Sequence, residues 1–270
     1  MRMFRKRRNP NTPRSEGLSI NRMIPNILTL LALCAGLTAI RFGLQEKWEA
    51  AVVSIILAAI LDGLDGRVAR LLGVTSKFGA ELDSLSDFVS FGVSPAMLLY
   101  FWTMRNAESI GWALVLLFSV SCAFRLARFN TMIGDPDLPP WAYNFFTGVP
   151  APAGAGLVIL PIVLSFEFGE EFFRHPGVAA IFLIGVAFLM VSRIPTFSFK
   201  KFKIPRPLIL PMLLGVGLLA AFLVSAPWIT LGFFGLVYLF SIPLSIRSFG
   251  ILKRNAMEIQ GANKADNQSP

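Results

Sequence analysis

The chain has 270 residues, 54% of them hydrophobic and only 15% charged. A soluble domain carries about 25% charged residues, and the mean hydropathy of +0.63 points the same way, so a soluble enzyme of one or two domains is excluded. The formal net charge of +9 sits beside apolar runs rather than along a stripe on a polar fold, which implicates anionic lipid headgroups and not nucleic acid.

The amino-terminal arm, residues 1–22, is polar and rich in Arg, Asn and Pro, with no apolar core, so it reads as neither a cleavable signal nor a domain. Eight apolar runs follow, near residues 24–42, 49–70, 80–102, 110–130, 152–168, 177–193, 207–225 and 228–246. Most are long enough to cross a hydrocarbon core roughly 30 Å thick as helices. The expected fold class is all-α: a polytopic integral membrane protein of about eight transmembrane helices. Gly and Pro inside the runs suit membrane helices, and the alternating strands of a membrane barrel are missing from the sequence. Residues 23–205 would hold a core of about six helices and 206–250 two more, before a polar tail, 251–270, expected to be disordered. Of the 25 Lys and Arg, 21 fall in the two termini and alternate connections, and only Arg41, Lys47, Arg105 and Arg174 fall on the other side. That asymmetry places both termini in the cytoplasm.

Cys34 and Cys122 stand alone in apolar runs and read as buried core thiols. The single histidine, His175, lies in a short polar linker beside Pro176, which excludes a histidine-based metal site or a Ser-His-Asp triad. Any catalysis must then use carboxylates.

Four aspartates break the rule that membrane spans avoid unpaired charge. Asp62 and Asp65 stand at i and i+3 at the end of the second run, and Asp83 and Asp87 at i and i+4 at the start of the third, each pair on one helical face. The connection Leu71 to Phe78, with Gly73 and Thr75, can turn the chain so that the helices become antiparallel neighbours and the pairs face each other. Four carboxylates in a partly dry pocket call for hard cations. Two Mg²⁺ or Mn²⁺ ions would clamp a phosphoryl group there. Gly66 and Gly79 remove side chains where a phosphate or nucleotide would approach, Ala69 keeps the same wall low, and Arg70 and Lys77 add positive charge for diphosphate oxygens.

Residues 62–87 resemble the signature of the CDP-alcohol phosphotransferase family, D-x2-D-G-x2-A-R-x8-G-x3-D-x3-D. They match it at Asp62, Asp65, Gly66, Ala69, Arg70, Gly79, Asp83 and Asp87. The resemblance implies that the four aspartates bind two divalent cations, that the nucleotide lies against Gly66, Ala69 and Arg70, and that Asp87 is also the general base toward the acceptor hydroxyl. The family's first-span pattern is similar around Pro25, Asn26 and Thr29 and implies a nucleotide contact there, although Asn26 and Thr29 suit a helix cap equally. The family's tendency to dimerise implies a homodimer.

The signature leaves the acceptor open. The runs Ser86 to Ala96, Phe124 to Asn130, Phe146 to Pro152 and Ser192 to Lys200 resemble the phosphatidylserine synthase branch, which implies transfer of a phosphatidyl group from CDP-diacylglycerol to L-serine in a bacterial cytoplasmic membrane. Arg125 and Arg128, one turn apart, offer a fork for a carboxylate, and Asn130 a hydrogen bond beside it. Snorkelling to headgroups explains the arginines too, and a phosphate-bearing alcohol suits them, so phosphatidylglycerophosphate synthase is the alternative. The linker Gly134 to Pro150 would close over this pocket or form an interfacial aromatic belt. A carboxylate-based cation transporter would instead need discontinuous helices meeting at mid-bilayer.

Overall fold

The computed structural model describes residues 20–132, 145–197 and 208–266. Its first half is built from α1 (Ile20–Leu44), α2 (Trp48–Leu72) and a third span. That span starts as α3 (Lys77–Asp87), widens into a π-helical segment (Phe88–Val93) and continues as α4 (Ser94–Trp102). A 3-10 turn (Met104–Ala107) leads into α5 (Glu108–Met132). The second half comprises β1 (Phe145–Thr147), α6 (Ala151–Val158), α7 (Leu160–Phe168), α8 (Glu170–Phe173), α9 (Pro176–Val191), β2 (Pro195–Phe197), α10 (Ile209–Ser225) and α11 (Pro227–Asp266).

Among the described residues five segments are long and apolar enough to cross a membrane: Met23–Leu44, Lys77–Trp102, Met104–Thr131, Ala151–Phe168 and Pro227–Gly250. The apolar helices α9 and α10 are shorter, and α2 has the length but carries the charges of the signature. These eight segments stand where eight runs were expected. Trp102, Phe91, Phe118, Leu98 and Leu99 fill the core, while Leu116, Ile181, Leu213 and Val224 are exposed, the outward apolar surface of an integral membrane protein.

Three features differ from the expectation. β1 and β2 form an antiparallel ribbon with Phe146 opposite Thr196, so two connections expected as loops pair where α9 ends and α6 begins. The tail is helical to Asp266, because from Ile251 it is rich in Ala, Lys, Met, Glu and Gln and meets no proline before Pro270. Cys34 is exposed on α1 and only Cys122 is buried, as a thiol is apolar enough to face lipid.

α1 runs parallel to the third span and antiparallel to α2. The register is set by three serine hydroxyls of the third span that donate to backbone carbonyls of α1: Ser86 to Thr29 at 3.1 Å, Ser90 to Ala32 at 3.2 Å and Ser94 to Gly36 at 2.8 Å. The donors advance by four residues each and the acceptors by three and then four. The third span therefore contains one residue more than α1 over the same rise, and the π-helical segment absorbs it. Gly36 makes the approach possible, since a Cβ there would lie 2.5 Å from Ser90 Oγ and 2.8 Å from Ser90 Cα.

Candidate active site

The aspartates are placed by local signals on either side of one turn. Gly73 closes α2 in the left-handed conformation, its N–H reaching the carbonyls of Ala69 and Arg70. Ser76 then opens α3, its hydroxyl accepting from the Gly79 N–H at 3.0 Å. As expected, α2 and α3 turn acidic faces toward each other: α1 lies against both helices, and carboxylates from the two meet across the gap between them.

In that gap Asp62, Asp83 and Asp87 each offer a carboxylate oxygen, and the three oxygens lie within 4.8 Å of one another. Asp87 Oδ1 is buried and has no hydrogen-bond partner among the described residues. Three converging carboxylates, one with an orphaned buried oxygen, are a donor set that fits a hard divalent cation. Asp65 stands outside this group. It is 4% exposed, and its Oδ2 accepts from the Thr29 hydroxyl at 2.5 Å. Thr29 Oγ1 is also 3.1 Å from the Pro25 carbonyl, but its single proton serves the nearer carboxylate. Because α1 begins at Ile20, neither Asn26 nor Thr29 caps it, which removes that alternative.

The residues expected on the donor side line the same end of the bundle. A Cβ on Gly66 would meet no atom within 4 Å, so the wall there is open. A Cβ on Gly79 would lie 3.1 Å from Asn26 Oδ1, which puts Asn26 of α1 beside the start of α3. Arg70 donates through Nε to the Gly66 carbonyl at 3.0 Å and keeps its terminal nitrogens free of the described residues. Ala69 is partly exposed beside it, and Lys77 is exposed as the first residue of α3.

On the acceptor side the structure separates two arginines that the sequence pairs. Arg125 is partly buried, stacks at 5.5 Å from the centroid of the Phe129 ring and acts electrostatically on Asp62 and Asp87. It donates no hydrogen bond among the described residues, so its guanidinium is available to an anion. Arg128 does not join it in a fork. Its NH1 donates to the Val191 carbonyl at 2.8 Å, and its NH2 lies 3.1 to 3.2 Å from the carbonyls of Thr147, Met190 and Ser192. Asn130 donates to Ser84 Oγ at 2.9 Å, which ties α5 to α3 beside Asp83. Sequence reasoning gave no role to Gly148 and Thr196 within the runs that contain them, because their partners are backbone groups distant in sequence, nor to Ser84, which meets Asn130 from another helix. Residues 133–144, most of the proposed closing linker, and the basic segment 198–207 lie outside the described residues.

Two apolar cavities formed by described residues are lined by none of the acidic cluster. One of about 200 Å³ lies between α2, α6, α7 and α11. The other, about 500 Å³, is lined by the third span from Phe88 and by α5 from Trp112 to Ala127.

This chain belongs to the CDP-alcohol phosphatidyltransferase family, whose model matches residues 22–192, and a second model, CDP-alcohol phosphatidyltransferase 2, matches residues 207–243. Within that family it is similar to proteins named CDP-diacylglycerol-serine O-phosphatidyltransferase. The protein of Mycobacterium leprae is 41% identical over 236 residues, 87% of this chain and 78% of the relative. That of Helicobacter pylori strain 26695 is 40% identical over 183 residues, 67% of this chain and 74% of the relative. That of Bacillus subtilis is 36% identical over 178 residues, 66% of this chain and 92% of the relative.

Proposed function

We propose that this chain transfers a phosphatidyl group from CDP-diacylglycerol to the hydroxyl of L-serine, giving phosphatidylserine and CMP. The convergence of Asp62, Asp83 and Asp87 inside the family signature carries the reading, and the names of the relatives support serine as acceptor. Two Mg²⁺ or Mn²⁺ ions held by Asp62, Asp65, Asp83 and Asp87 would supply charge neutralisation for the diphosphate. Asp65 is kept in place for this by Thr29.

The chain's own residues do the rest. Gly66, Ala69 and Gly79 leave room for the nucleotide, with Asn26 beside it and Arg70 and Lys77 supplying charge to the diphosphate. Arg125 takes the serine carboxylate and sets the serine hydroxyl near Asp87, which accepts its proton as the oxygen attacks phosphorus and the bond to CMP breaks. The active site and both termini face the cytoplasm of a bacterial inner membrane, the leaflet where the basic connections meet anionic lipid. The protein works as a homodimer, which cross-linking in native membranes would show as a band of twice the chain mass. Purified protein supplied with CDP-diacylglycerol, Mn²⁺ or Mg²⁺ and labelled acceptors tests the assignment. Release of CMP matched to labelled phosphatidylserine is the expected result, and label entering only from glycerol 3-phosphate would give the chain the alternative acceptor.

A further inference from the structure

Among the described residues Arg128 is the most heavily bonded side chain at the aspartate end of the bundle, and its partners there are all backbone carbonyls. We infer that Arg128 is a positioning residue. Its guanidinium locks the end of α5 onto the end of α9 and the β1–β2 ribbon, and thereby holds Arg125, one turn earlier, toward Asp62 and Asp87. The inference rests on the reading above that Arg125 receives the acceptor.

Four observations carry it. First, Met190 and Val191 are the last residues of α9 and Ser192 is its cap, so the guanidinium occupies the carbonyl end of that helix, where backbone acceptors lack intrahelical partners and positive charge is favoured. Second, the ribbon is shaped to admit it. Gly148 has φ of 78°, and a Cβ there would lie 3.0 Å from Arg128 NH2 and 2.7 Å from the Met190 carbonyl oxygen, so any side chain would expel the guanidinium. Third, the ribbon is anchored in turn. The Gly148 N–H donates to the Ile194 carbonyl at 2.8 Å, and Thr196 Oγ1 donates to the Gly148 carbonyl at 2.9 Å. Fourth, the opposite side of α5 is fixed to α3 by Asn130 and Ser84, so the helix end that presents Arg125 is held from two directions. A lysine would not replace this contact, because one ammonium cannot span carbonyls from two segments as a planar guanidinium does.

The experiment is a mutant cycle on the full chain in detergent with CDP-diacylglycerol, divalent cation and labelled serine. Arg128→Ala, Arg128→Lys and Gly148→Ala are each expected to lower kcat/KM for serine by about tenfold or more, with the donor KM within about twofold, because the loss is transmitted through one charge-assisted contact to the acceptor. Gly148→Ala retains the arginine, so a defect there reports its displacement. Arg128→Ala placed in an Arg125→Ala background is expected to add less than about twofold, since its effect passes through Arg125. Independent, multiplying effects of the two arginines would make Arg128 a direct ligand and overturn the inference, as would a Gly148→Ala protein with unchanged serine kinetics. If Arg128→Ala does not accumulate, Arg128→Lys carries the same cycle. Hydrogen exchange adds a readout independent of turnover: backbone amides of residues 145–149 and 192–197 should exchange faster in Arg128→Lys and Gly148→Ala but not in Arg125→Ala, and unchanged exchange in both would likewise overturn it. If the unsubstituted protein accepts a different alcohol, the serine assignment fails, and the cycle run with that alcohol still decides whether Arg128 acts through Arg125.

Discussion

Replacing Gly36 by Ala tests the contact that sets the site's register. The new methyl carbon would sit 2.8 Å from Ser90 Cα, a backbone atom that no rotamer change can move, where an ordinary contact needs about 3.4 Å. α1 and the third span must therefore part by about 0.6 Å. That lengthens the Ser90 to Ala32 bond from 3.2 Å to about 3.8 Å, beyond hydrogen-bonding distance, and stretches the Ser94 to Gly36 bond from 2.8 Å to about 3.4 Å. Interhelical hydrogen bonds in membranes average about 0.6 kcal/mol each, and overpacking adds about 1 to 3 kcal/mol, so a loss of about 2 to 4 kcal/mol is expected. At roughly 2 to 4 °C per kcal/mol for a chain of this size, thermal denaturation in detergent, followed by gel filtration of the heated sample, should fall by roughly 5 to 15 °C. Turnover should fall as well, because Thr29, two turns away on α1, holds Asp65. Adding Ser90→Gly removes the 2.5 Å and 2.9 Å clashes with Oγ and Cβ and should recover part of the stability. A Gly36→Ala protein with unchanged melting and turnover would refute the close approach of the two helices.

Ala substitution of Asp62, Asp83 or Asp87 should abolish transfer, as should excess chelator; full turnover in chelator would contradict the cation site. Thr29→Val leaves the buried Asp65 carboxylate without its donor and should destabilise the protein by about 1.5 to 3 kcal/mol while lowering transfer without abolishing it, measured by melting and initial rate on the same preparation. Arg125→Ala should raise the serine KM by about 10- to 100-fold and leave the CDP-diacylglycerol KM nearly unchanged, whereas Arg70→Ala should show the reverse pattern. A single cysteine placed in the tail after residue 250 should react with impermeant maleimide only in opened vesicles, and labelling from outside intact cells would reverse the topology.

The parts of this molecule legible in its sequence are those written in side-chain spacing. Asp62, Asp83 and Asp87 reveal themselves because charge is rare in apolar runs, and the helices because their apolar stretches match the bilayer. Parts written in backbone were hidden. Arg128 looks like a partner for Arg125 at i+3, yet its partners are carbonyls about 19 and 62 to 64 residues away, which have no residue-type signature. Ser86, Ser90 and Ser94 show helical spacing, but their acceptors on α1 are carbonyls as well, and the extra residue that forces a π-helical segment appears only when both helices are in register. Thr29 was visible as part of a pattern around Pro25. Its bond to Asp65 depends on how α1 crosses α2, which no local pattern encodes.

The most direct test of the central claim is the acceptor requirement of purified protein. With CDP-diacylglycerol and Mn²⁺ or Mg²⁺, the account predicts CMP release that depends on L-serine, matches the phosphatidylserine formed and stops when Asp62, Asp83 or Asp87 is replaced by Ala. CMP release that ignores serine and follows glycerol 3-phosphate or another alcohol, or that persists in those variants, would contradict it.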